Sequence, residues 1–150
     1  MKLLKKINII LSTLSIGILS MSFTDSVFEH DHKYLAQLPD LKIMSITVLD
    51  GPCEGTKNKV KVTFFNAGNI TVKPGLKVSL RIDPNTVTYE ESISTQIFPN
   101  SFKSVTFSEV KLRLHDNRIT AIINPAKKVK ETNYNNNGKT ISVKAQVTCN

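Results

Sequence analysis

Ten residues near the end of the chain limit its fold more than any others: Val129, Lys130, Glu131, Thr132, Asn133, Tyr134, Asn135, Asn136, Asn137 and Gly138. Such a run cannot be the interior of a helix. Asparagine side chains compete with the backbone for its own hydrogen bonds, and glycine closes the run. Both residues tolerate left-handed backbone angles, so the stretch reads as a tight connection bonded to itself. Arg118 to Asn124 before it is strand-like. Lys139 to Thr148 after it is the cleanest alternation in the chain. The run is therefore a long corner between two strands of an all-β domain.

The N-terminus carries an export signal. Lys2, Lys5 and Lys6 precede a mostly apolar run from Ile7 to Leu19, and Ser20-Met21-Ser22 then offers small residues two apart. Basic, apolar and small-residue segments in that order read as a signal peptide over residues 1–22, cleaved after Ser22. The competing reading is an uncleaved membrane anchor. Against it, the apolar run is short for a bilayer span and contains Asn8, Ser12, Thr13 and Ser15. The expectation is a secreted or periplasmic protein with no stable membrane span after cleavage. The remaining chain has 17 basic and 12 acidic residues, a net +5 against +8 for the whole. That mild excess favours anionic surfaces, while export argues against nucleic acid as partner. Residues 23–38 carry no period and read as a flexible leader; His30-Asp31-His32 within it is not expected to close a metal site.

The domain is expected over residues 39–150. Leu41 and Ile43 alternate, then Ile46 and Val48 alternate on the opposite phase, so a bulge is expected near Met44-Ser45. Lys57 to Phe65 places Val60, Val62 and Phe64 on one face and Lys57, Lys59 and Lys61 on the other. Leu76, Val78, Leu80 and Ile82 form a third strand. Thr86 to Phe98 reads as one broken strand or two short edge strands. Val105 and Phe107 make another strand, with a phase change near Ser108-Glu109. His115-Asp116-Asn117 reads as a turn. Ile119, Ala121 and Ile123 form the penultimate strand, and Ile141, Val143, Ala145 and Val147 point inward from the last. About seven strands without a helix argue an antiparallel, immunoglobulin-like β-sandwich of Greek-key type, with a closed barrel as the alternative. In such a sandwich the first and last strands commonly run parallel as neighbours. Cys53 follows the first strand and Cys149 the last, so a disulfide between them is expected in an oxidising compartment; two free or metal-binding thiols are the rival reading.

Pro39-Asp40-Leu41, the Asn66-Ala67-Gly68 turn, and Val129-x-Glu131-x-Asn133 followed by Asn136-Asn137 resemble the opening, turn and final corner of the bacterial cell-adhesion-related domain called CARDB. The resemblance spans roughly Pro39 to Val147. Tyr134 stands where that family often has a second acid, and Asn124 where an aspartate commonly precedes the corner, which weakens any acidic cation site. Glu131, Asn133, Asn136 and Asn137 are expected to play a structural part in the corner, because amides can satisfy backbone groups in an irregular connection.

No catalytic motif is visible: there is no Gly-x-Ser-x-Gly elbow, His-Glu-x-x-His helix, phosphate-cradling glycine loop or Cys-x-x-Cys. His115 alone is poor material for a triad. The expectation is a non-enzymatic module with no cofactor and no metal. The resemblance implies binding or adhesion to a protein or glycan at the envelope or outside the cell. The alternative is an envelope accessory protein, either an assembly subunit or an inhibitor of an extracytoplasmic enzyme. Lys57, Lys59 and Lys61 on one strand, and Lys127, Lys128 and Lys130 in the corner, are the candidate contact surfaces.

Overall fold

The computed structural model describes residues 37–49, 51–55, 58–84 and 86–147. The expected signal peptide, most of the expected leader, Lys57 and Cys149 lie outside them. Seven strands follow in order: β1 (Leu41–Leu49), β2 (Asn58–Asn66), β3 (Leu76–Asp83), β4 (Val87–Ile93), β5 (Ser101–Val110), β6 (His115–Ile123) and β7 (Gly138–Ala145). They form a three-stranded sheet in the order β1-β2-β5 and a four-stranded sheet in the order β4-β3-β6-β7. Every strand pair is antiparallel. The chain is an all-β sandwich.

Period-two alternation drives the assembly. Side chains on a strand point alternately to opposite faces, so one register buries every second residue. Val60, Val62 and Phe64 of β2, Val78, Leu80 and Ile82 of β3, and Ile119, Ala121 and Ile123 of β6 are all buried between the sheets. Both expected phase shifts are real. The β1–β2 register slips between Ile43 and Ser45, leaving Met44 as the extra residue. In the β2–β5 pair, Val60 faces Phe107 and Asn58 faces Val110, so Ser108 and Glu109 together oppose Lys59. Glu109 has a positive φ of 62°, the left-handed geometry a bulge often needs.

Three details differ from the sequence reading. His115 to Asn117 are not a turn but open β6, because Asn117 is buried and its amide clasps both backbone groups of Arg113. Val147 does not point into the core: β7 ends at Ala145 and Val147 is 71% exposed. The first and last strands are not ladder neighbours, since β1 and β7 belong to different sheets. The parallel pairing at that pole comes instead from the segment after β1, where Cys53 bridges to Gln146 and Glu54 to Leu112. The fourth region resolves into β4 alone, with Ile97 making a separate bridge to Val72.

Candidate functional site: the asparagine corner and the outer face of the three-stranded sheet

The corner from 124 to 138 leaves β6 in one sheet, packs against the start of β1 in the other, and returns into β7. Its centre is the buried carboxylate of Glu131. One oxygen, Oε2, accepts the backbone N–H of Leu41 at 2.7 Å. The other, Oε1, accepts from Asn124 Nδ2 at 2.6 Å and from Asn137 Nδ2 at 2.8 Å. Burial pushes the carboxyl above its ordinary value of 4.5, while the three hydrogen bonds pull the other way. Asn124 adopts a positive φ of 55°, which asparagine tolerates better than most residues. From there its side chain brackets the loop, donating to Val129 O and accepting from Val129 N. Asn137 Nδ2 also donates to Ile123 O.

Backbone bonds complete the seam between sheets. Thr132 N–H donates to Pro39 O at 3.1 Å, and Ile43 N–H to Asn136 O at 3.2 Å. Asn136 Nδ2 donates to Asp40 Oδ1 at 2.8 Å. Tyr134 stands on the loop with its hydroxyl accepting from Glu131 N–H and donating to Val129 O. Asn133 is exposed and accepts only locally, from Asn135 N–H, in an Asx-type turn. The structure therefore brings Glu131, Asn136 and Asn137 to the β1 seam and leaves Asn133 at the loop's surface.

Three further asparagines are buried, of which the sequence reading placed Asn66 and Asn117 only in turns and did not name Asn58. Asn66 accepts from the N–H groups of Asp40 and Gly68 and donates to Ile70 O and Ile97 O. Asn58 exchanges bonds with both backbone groups of Cys53 and donates to Val110 O. Asn117 clasps Arg113. A signal was present: each sits on the inward parity of its strand, at or near a strand end, where only a satisfied amide is compatible with burial.

The lysines separate into two places. Lys59 and Lys61 are exposed on the outer face of the three-stranded sheet. Lys127 lies 5.1 Å from the centre of the Tyr134 ring. Lys128 lines a cavity of about 200 Å³ with Lys73, Leu76, Pro125 and Val129, at the start of β3 and the end of β6 in the other sheet. Lys130 is exposed in the corner. Lys77, also at that cavity, is taken by Glu90 at 2.6 Å.

The outer face of β1-β2-β5 is ordered in rows across the strands. Lys42, Phe65 and Phe102 form one row, Ser45, Thr63 and Ser104 the next, then Thr47, Lys61 and Thr106. The Phe65 and Phe102 rings lie 4.6 Å apart and tilted, and Lys42 Nζ sits 5.4 Å from the Phe65 centroid. Phe102 is 60% exposed. None of these paired outward positions is acidic; Glu109 sits in the bulge beyond them.

His115 is exposed at the start of β6, and among the described residues no three His, Cys, Asp or Glu side chains gather as metal ligands. Among the described residues, no helix is long and apolar enough to cross a membrane.

Comparison with known proteins agrees with the architecture. A CARDB domain of Pyrococcus furiosus, crystallised in complex with di-metal ions, is 27% identical over 73% of this chain and 90% of its own, with a TM-score of 0.60. The solution structure of the same archaeal domain aligns at 28% identity, covering 75% of this chain and 99% of its own, also at 0.60. A domain of a Methanosarcina acetivorans protein, provisionally assigned to the cell surface, shares the fold at 23% identity and a TM-score of 0.63, covering 75% and 96%. No curated protein matches the chain. The CARDB family model matches residues 38–141, from the residue before the Pro39-Asp40-Leu41 opening to the middle of β7, and the chain belongs to the CARDB family.

Proposed function

We propose that this chain is an exported, non-enzymatic binding module that presents the outer face of its three-stranded sheet to a protein or glycan partner of the cell envelope or surroundings. The observation that carries the reading is the Lys42-Phe65-Phe102 row with Lys61 and Lys59 beyond it. A solvated sheet face ordinarily alternates small polar and charged groups of both signs. Here two touching phenylalanines are left toward water and every charge at the paired positions is positive. Exposed aromatic area beside unopposed cations is the composition of a contact surface rather than of an inert one. The corner, in this reading, is scaffold: most of its polar groups are spent on holding β1 against the β6–β7 connection, while the buried Oδ1 atoms of Asn136 and Asn137 have no hydrogen-bond partner among the described residues. The same spending argues against a metal role for Glu131, because both of its oxygens already accept N–H donors.

The test is capture from envelope and secreted fractions of the producing cell, using the exported protein and a Phe102→Ser/Lys61→Glu variant. The variant should keep its melting temperature within a few degrees and lose the captured material. Equal capture by both proteins would move the contact surface elsewhere, with the cavity lined by Lys73 and Lys128 as the next place to mutate.

A further inference from the structure

We infer that the occupant of this face is an anionic polysaccharide, lying along the strands with a sugar ring on Phe102 and its acidic groups on Lys61 and Lys59. The inference rests on the binding-face reading above and adds the partner's chemistry.

The face is graded along the strands. At one end the Phe65–Phe102 pair offers an aromatic surface, and Lys42 lies against Phe65 so that Phe102 is the more open ring. The middle row, Ser45, Thr63 and Ser104, is made only of hydroxyl-bearing side chains. Lys61 and then Lys59 follow on β2 at the other end. Four residues separate Phe65 from Lys61 and two more reach Lys59, so the cations stand roughly 13 and 20 Å from the aromatic end at the rise of an extended strand. Ring surface, hydroxyls and spaced cations recur in the order that an acidic sugar chain would need. The C–H face of a sugar ring packs on an aromatic, its hydroxyls exchange hydrogen bonds with Ser and Thr, and its carboxylate, sulfate or phosphate groups pair with lysine.

The pattern disfavours other occupants. A neutral glycan would leave Lys59 and Lys61 unused, although neither forms an ion pair with the described residues. An apolar protein surface would have to bury the row of hydroxyls and the lysines at a desolvation cost. β2 is also the central strand of its sheet, so Phe65, Thr63, Lys61 and Lys59 form a continuous lane between two paired neighbours, which suits an extended polymer.

The experiment is affinity electrophoresis and calorimetry of the exported protein with polygalacturonate, and with a neutral glucan of similar length, at about 50 and 500 mM salt. Polygalacturonate should bind, the neutral glucan should not, and the higher salt should weaken binding about tenfold or more, because exposed charges are screened over a few ångströms there. Phe102→Ala should weaken binding roughly two- to tenfold at both salt concentrations, the size of one aromatic contact. Lys61→Gln should weaken it chiefly at low salt. Both side chains are exposed, so melting temperatures should hold. If no polyanion binds, but an acidic protein is captured and lost in both variants, the glycan inference fails and the binding face stands. If polygalacturonate binds equally to wild type and both variants, the inference and the binding-face reading both fail.

Discussion

Replacing Glu131 by alanine should be among the most damaging single changes in the domain, although the group removed is polar. The carboxylate accepts three N–H donors in a buried setting. Asn124 Nδ2 and Asn137 Nδ2 each keep a second acceptor, Val129 O and Ile123 O. Leu41 N–H loses its Glu131 acceptor while buried. One orphaned backbone donor costs about 1–3 kcal/mol, and each lost bond to a charged acceptor about 1.5–3 kcal/mol before the relief of no longer burying a charge. The net should come to about 3–5 kcal/mol, the sum of the orphaned donor and the two weakened amide bonds less that relief. That is a large share of the roughly 5–15 kcal/mol that holds a domain together. Urea unfolding followed by far-ultraviolet circular dichroism would read it as a midpoint lowered by about 2 M at an unchanged slope. Glu131→Gln should lie between, because it keeps one oxygen acceptor but turns an NH2 toward donors. A loss under about 1 kcal/mol for the alanine variant would refute the claim that Glu131 clamps the two sheets. A changed slope would mean that the native state itself had loosened.

Three other outcomes follow from the same geometry. Gly68→Ala would set a Cβ 2.6 Å from Asp40 N and closer still to Leu38 O, all backbone; the opening of β1 must shift, and thermal unfolding should show a loss of about 1–3 kcal/mol or more, whereas a neutral result would contradict the tight approach. The raised carboxyl of Glu131 makes the folded state hold its proton to higher pH than the unfolded state does, so the protonation-linked part of its stability is complete below the ordinary carboxyl range and is lost as pH rises through the raised value, leaving the contribution of its hydrogen bonds; the advantage of wild type over Glu131→Gln should therefore shrink between acid and neutral pH, and an advantage that grows would reverse the sign. Cys53 lies beside Gln146, three residues before Cys149, so the protein purified without reductant should show no titratable thiol and should lose about 4–5 kcal/mol on reduction; two reactive thiols in the native protein would exclude the bridge.

What could be read from the sequence follows from periodicity. A period of two with one buried face leaves little freedom, so β1, β2, β3 and β6 and both bulges were visible as runs and phase changes in one chain. Strand ends were less visible. His115 and Asp116 have the composition of a turn, yet they pair with Ala145 and Lys144, because the buried Asn117 amide closes the preceding loop and lets the ladder begin early. Val147 continues the alternation of β7, but the β6 partner strand begins at His115, opposite Ala145, and Val147 lies past that end of the ladder, exposed. The corner could be recognised by composition. Its clasp could not, because the Leu41–Glu131 bond joins residues 90 apart and depends on which sheet β1 joins. The aromatic row was hidden for the same reason. Phe65 and Phe102 are ordinary strand residues until the β2–β5 register sets them side by side.

The central claim, that the outer face of β1-β2-β5 is the contact surface, is tested most directly by titrating the isotope-labelled protein, residues 23–150, with polygalacturonate and mapping backbone amide shifts. The account predicts shifts concentrated at Lys42, Lys61, Thr63, Phe65, Phe102 and Ser104, fading as salt is raised. Shifts confined to the corner, or to the cavity beside Lys73 and Lys128, with this face silent, would contradict it.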